Sequence, residues 1–161
     1  MTSFVNSEPT SDEYASAIAY DGSRVQTAAL YCSDGRFGAP TDDFLTNVLQ
    51  VPRYNRLVIP GGPACLAGYF ISYREEEAAA EQLKFLVTAL GISRILIVAH
   101  EDCLFYQQRL NISPFDLRKR QTEDLGKAAR RVRKFYGGIE IEAYLAHVLE
   151  GSVRFMPVAT P

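Results

Sequence analysis

The chain has 161 residues, 47% of them hydrophobic and 22% charged, which fits one globular domain with a core large enough to fold without disulfides or metal. A net charge of -2 excludes general attraction to nucleic acid or anionic lipid. No stretch approaches the roughly 18 apolar residues of a membrane helix, and Met1 to Thr10 lacks the basic and apolar regions of a signal peptide, so a cytoplasmic protein is expected.

Residues 1–25 read as an N-terminal arm or flanking helix, with the helical stretch at Ser11 to Tyr20. Thr27 to Cys32 is a short apolar run that stops at Ser33-Asp34-Gly35, as a buried strand does. Pro40 to Leu49 follows as a helix with Phe44, Leu45, Val48 and Leu49 on one face. Arg56 to Pro60 is a second strand, running into Gly61-Gly62-Pro63. Ser72 to Leu90 is a helix: Ser72 and Glu75 have capping-box spacing, Leu83, Leu86, Val87 and Leu90 form the apolar stripe, and Gly91 stops it.

Ile92 to Ala99 is almost continuously apolar, as a strand buried on both faces should be, and it ends at His100. Ser113-Pro114 caps a long helix carrying Leu125, Ala128, Ala129, Val132 and Phe135 at helical spacing. Ile139 to Val148 and Ser152 to Val158 are two further strands about Glu150-Gly151. Strands that alternate with helices imply a single α/β domain over residues 1–161, with a mainly parallel central sheet flanked by helices. Sites in such sheets form beyond the carboxyl ends of the strands.

Three strand ends here carry the reactive residues. Cys32, Cys65 and Cys103 are an odd number of cysteines, which argues against a disulfide framework. His100 and Cys103 lie three apart, close enough to reach one ion. Cys32 ends an earlier strand and can converge with them if the two strands are neighbours. Two thiolates and an imidazole suit Zn2+ and leave one position of the tetrahedron free, the catalytic arrangement. Asp34 and Arg36 follow Cys32 directly. A guanidinium can clamp a carboxylate and keep it ionised. Asp34 could then accept a hydrogen bond from bound water and orient it, or swing in as a fourth ligand. The amides of Gly61 and Gly62 can approach a small anionic substrate. Cys65 reads as a buried thiol, His147 as a packed histidine, and Arg130, Arg131, Arg133 and Lys134 as a solvated helix face. Glu101 and Asp102 are either supports of the ligands or helix N-terminal acids.

Cys32-Ser33-Asp34-Gly35-Arg36 matches C-x-D-x-R and His100 to Cys103 matches H-x-x-C. In that order the two motifs resemble the β-class carbonic anhydrases, from about Thr27 to the C-terminus. The resemblance implies a zinc lyase that interconverts carbon dioxide and bicarbonate through zinc-bound hydroxide. By carry-over, Cys32, His100 and Cys103 are the metal ligands and Asp34 and Arg36 the catalytic dyad, in a homodimer or larger homo-oligomer. Two departures bear on the pocket. The family's R-N-A-G-like stretch is here Ile59-Pro60-Gly61-Gly62, and the glycine usual after H-x-x-C is Leu104, followed by Phe105 and Tyr106. Hydrolases of carbon disulfide or carbonyl sulfide share this scaffold, so that activity, and a catalytically silent zinc-binding protein, stand as alternatives.

Overall fold

The computed structural model describes residues 13–69, 71 and 73–160. Five strands form one sheet in the order β2-β1-β3-β4-β5. They are β1 Thr27–Tyr31, β2 Asn55–Val58, β3 Arg94–His100, β4 Glu140–Leu149 and β5 Ser152–Val158. The first four are parallel and β5 returns antiparallel to β4. Glu150 and Gly151, both at positive φ, make the two-residue turn that joins that hairpin, as the right-handed twist of the strands favours. The sequence expectation of a mainly parallel α/β sheet is met, and each strand lies within two residues of its predicted limits.

β3 occupies the centre because it can be buried on both faces. Ile95, Ile97 and Ala99 enter one apolar cluster with Ala28 and Leu30 of β1 and Ile141, Ala143 and Leu145 of β4. Two helices cover that face: α2 (Tyr73–Leu90) through Ala79 and Leu83, and α3 (Pro114–Phe135) through Leu125, Ala128, Ala129 and Val132. Leu96 and Val98 enter the opposite cluster with Ala29, Tyr31, Tyr144 and Ala146. There α1 (Gly35–Asp43) and the π-helical turn Phe44–Val48 supply Phe37, Phe44 and Leu45. The alternation of side chains along a strand thus divides one apolar run between two cores.

Two expectations need correction. The helix predicted at Pro40 begins at Gly35, because Asp34 caps it by accepting the Arg36 N–H at 3.0 Å. Pro40 lies inside the helix rather than at its start. The helix predicted over Ser11 to Tyr20 does not form from Glu13 to Tyr20. Tyr14, Ile18 and Tyr20 stay exposed, and a short helix without tertiary packing is marginal in water. Ser72, proposed as a cap for α2, lies outside the described residues, while Ser113 caps α3 as expected.

The loop after β2 fixes the end of β1. Gly62 has φ +50°, and a Cβ there would lie 2.8 Å from the Cys32 backbone nitrogen. Backbone cannot move aside as a flexible side chain can. Gly62→Ala is expected to destabilise the fold by roughly 2–4 kcal/mol, from the left-handed backbone and the overlap together, measured by urea unfolding with an unchanged slope.

Candidate metal centre

Cys32 leaves β1, His100 closes β3, and the parallel register of the two strands brings them to the same end of the sheet, with Tyr31 beside Val98. Cys103 returns to the same place after a turn through Asp102, whose φ is +52°. One ligand atom from each of Cys32, His100 and Cys103 lies within 4.8 Å of the other two. All three side chains are buried, at 8%, 3% and 2% exposure. The spacing expected from sequence is therefore realised in space.

The atoms fit a tetrahedral zinc. Two Zn–S bonds of about 2.3 Å set their sulfurs roughly 3.8 Å apart, and the Sγ atoms of Cys32 and Cys103 are 3.9 Å apart. His100 Nδ1 is 2.7 Å from the Glu101 carbonyl oxygen. As a donor there, Nδ1 carries the ring proton and leaves the lone pair on Nε2. Nε2 is buried without a hydrogen-bond partner, an arrangement that costs about 1–3 kcal/mol unless something accepts the lone pair.

The two sulfurs are in contact, and each shifts the titration of the other. The contact with Cys103 and the backbone N–H groups of Asp34 and Gly61 lower the Cys32 pKa, against burial, which raises it. The same contact with Cys32, together with burial, raises that of Cys103. The Gly61 N–H donates to the Cys32 sulfur at 3.3 Å.

Asp34 and Arg36 form a two-pronged ion pair, Arg36 Nη2 to Asp34 Oδ2 at 2.7 Å and Nε to Oδ1 at 3.1 Å. The guanidinium, aided by the Arg36 backbone N–H, lowers the Asp34 pKa to about 2. The carboxylate stays outside the ligand cluster, so the clamp holds it as an ionised acceptor beside the ligands. Gly61 and Gly62 sit over β1, but their amides are engaged within the chain: Gly61 N–H on Cys32 Sγ and Gly62 N–H on the Ile59 carbonyl.

Of the bulky residues after Cys103, Tyr106 is buried with Cys103 and Leu117, Leu104 faces solvent, and Phe105 lies between. The Phe105 ring occupies the space a Cβ on Gly61 would need. Phe37 stacks on the His100 ring at 4.3 Å, and Gln121 of α3 donates to the His100 carbonyl at 2.6 Å. Sequence reasoning missed both supports. Phe37 reads as an ordinary core residue, and nothing local ties Gln121 to a histidine 21 residues earlier. Cys65 is a buried thiol that donates to the Pro60 carbonyl, and burial raises its pKa to about 12.

The solved structure of beta-carbonic anhydrase isoform I from Trichomonas vaginalis resembles this chain with a TM-score of 0.59, at 16% identity over 88% of each chain. A carbonic anhydrase from Glaciozyma antarctica gives 0.53, at 14% identity over 81% of this chain and 80% of the other. One of two tetrameric beta-carbonic anhydrases from Sordaria macrospora gives 0.52, at 11% identity over 86% and 84%. At such identities the likeness is one of fold. No curated protein matches the chain. The family model described as "Putative carbonic anhydrase" matches residues 23–153. That stretch contains the four parallel strands, the Cys32–His100–Cys103 cluster and the Asp34–Arg36 pair, and the chain belongs to this carbonic anhydrase family.

Proposed function

We propose that the protein is a zinc-dependent carbonic anhydrase that interconverts carbon dioxide and bicarbonate. The observation that carries this reading is the buried convergence of Cys32, Cys103 and the unpartnered His100 Nε2 beside a carboxylate clamped by Arg36. A zinc ion held by three such ligands keeps a fourth position open and, as a Lewis acid, makes hydroxide available near neutral pH.

The chain's own residues do the rest. Cys32 and Cys103 would hold the cation as thiolates, releasing their thiol protons on binding. Gly61 N–H holds the Cys32 sulfur in place. The His100 ring is fixed by Glu101 below and Phe37 beside it. Asp34, kept anionic and turned aside by Arg36, accepts a hydrogen bond from the attacking water and orients it toward the substrate carbon. Assembly as a homodimer or larger homo-oligomer belongs to the same reading. The tetrameric Sordaria macrospora enzyme and the uncovered Tyr14, Ile18 and Tyr20 support it. A reducing cytoplasm suits three free thiols.

One further activity has an observation in its favour. The Phe105 ring seated on Gly61 gives the Cys32 side of the site an apolar wall, which suits a carbon disulfide or carbonyl sulfide molecule. If that wall selects the substrate, the zinc-loaded protein releases hydrogen sulfide from these compounds faster than it hydrates carbon dioxide; absence of sulfide release removes this second reading.

Metal analysis of the purified protein should find one zinc per chain. Cys32→Ser should weaken zinc binding roughly tenfold or more by loss of a thiolate ligand, and unchanged zinc content would refute the ligand assignment. Asp34→Ala should keep its zinc and lose roughly 10- to 100-fold in kcat/KM for carbon dioxide hydration by stopped flow. Full activity in that variant would remove Asp34 from the mechanism. No metal-dependent hydration by the zinc-loaded wild type would overturn the proposed function itself.

A further inference from the structure

Arg36 has a second carboxylate partner, Asp102, at an unspecified position within H-x-x-C. Its Nη1 donates to Asp102 Oδ2 at 3.1 Å and its Nη2 reaches the Asp102 carbonyl oxygen at 3.3 Å. The other Asp102 carboxylate oxygen accepts from Gln107 Nε2 at 2.9 Å. Gln107 stands on the π-helical turn Phe105–Arg109, so the chain of contacts runs from that turn through Asp102 and Arg36 to Asp34. The left-handed backbone of Asp102, at φ +52°, faces its carbonyl and its carboxylate toward one guanidinium. A non-glycine residue holds that conformation at a cost and only where its surroundings fix it.

We propose that Asp102 is a positioning residue for the reaction: it anchors the Arg36 guanidinium so that Arg36 keeps the Asp34 carboxylate off the fourth metal position. The Arg36 side chain is 55% exposed. A single exposed ion pair holds a long side chain weakly, because water competes and rotamer freedom is lost. Asp102 adds two acceptors on the segment between His100 and Cys103, so the clamp is fastened to the ligand loop itself. Without its carboxylate, Arg36 swings toward solvent and carries less of its hold on Asp34. The freed carboxylate then reaches the cation and closes the site. The effect on rate rests on the proposed function, whereas the effect on coordination does not.

The test uses the full chain with cobalt(II) in place of zinc, read by visible absorption, beside carbon dioxide hydration by the zinc form. Asp102→Gly removes the carboxylate and suits the left-handed backbone, so the fold is kept. Asp102→Asn keeps an acceptor and tolerates the same backbone. The cobalt spectrum of Asp102→Gly is expected to differ from wild type, and adding Asp34→Ala to it should abolish that difference. Asp102→Asn should resemble wild type, and all variants should bind one metal. In the zinc form, kcat of Asp102→Gly should fall roughly fivefold with KM within about twofold. A wild-type spectrum and rate in Asp102→Gly would overturn the proposal. So would a spectral change that persists in the double variant, or loss of the metal, which would make Asp102 a structural support of the ligand loop. A wild type that fails to hydrate carbon dioxide sinks the proposed function and leaves the spectra as the test of the clamp.

Discussion

The parallel pairing of β1 with β3 is the contact on which the metal centre depends. Tyr31 lies beside Val98, so Cys32 and His100 leave the sheet at one edge with their side chains in reach of each other. Moving β1 by a single residue would carry Cys32 about 3.3 Å along the strand and turn it to the other face. That register is held by burial on both sides, since the two apolar clusters read alternate residues of the same strands. It is also held from above, where Gly62 rests directly on the backbone at the end of β1. Packing far from the ligands therefore sets the distances among them.

The centre is assembled at a cost to the protein without its cation. Two buried cysteine sulfurs face each other at 3.9 Å, and an imidazole nitrogen is buried with its lone pair unused. Polar groups left in that state oppose folding, and such features gather where a ligand repairs them. A cation that takes both sulfurs and the nitrogen relieves all three at once, so its binding energy adds to the stability of the chain. The carboxylate outside the cluster is treated differently: Arg36 satisfies it within the protein, which leaves it charged and available.

Much of this was legible in the residues alone. The unbroken apolar run before His100 marks the central strand, Ser113-Pro114 marks the start of α3, and the cysteine and histidine spacing marks the residues that converge, because each signal is local and follows from a periodicity or a donor type. The misses share a cause. Ser11 to Tyr20 reads as a helix, but a short helix forms only when a face of it finds a surface, and Tyr14, Ile18 and Tyr20 stay exposed. The closeness of Asp34 and Arg36 in sequence gives their ion pair but not the cap that the same carboxylate places on α1. The attachments of Gln121 to the His100 carbonyl and of Asp102 to Arg36 cross from one element to another. A one-dimensional pattern gives such contacts no trace.

The seating of the Phe105 ring on Gly61 has a consequence for how this pocket can change. The ring takes the volume that any side chain at position 61 would need, and the Gly61 amide must stay on the Cys32 sulfur. A larger residue at 61 would need a smaller one at 105 and would still carry the strain of a side chain at φ +80°. Shrinking 105 alone would leave a void against the bare Gly61 backbone. The two positions form a coupled pair, and the left-handed backbone at 61 keeps glycine there, so the apolar lining of this side is set by what stands at 105.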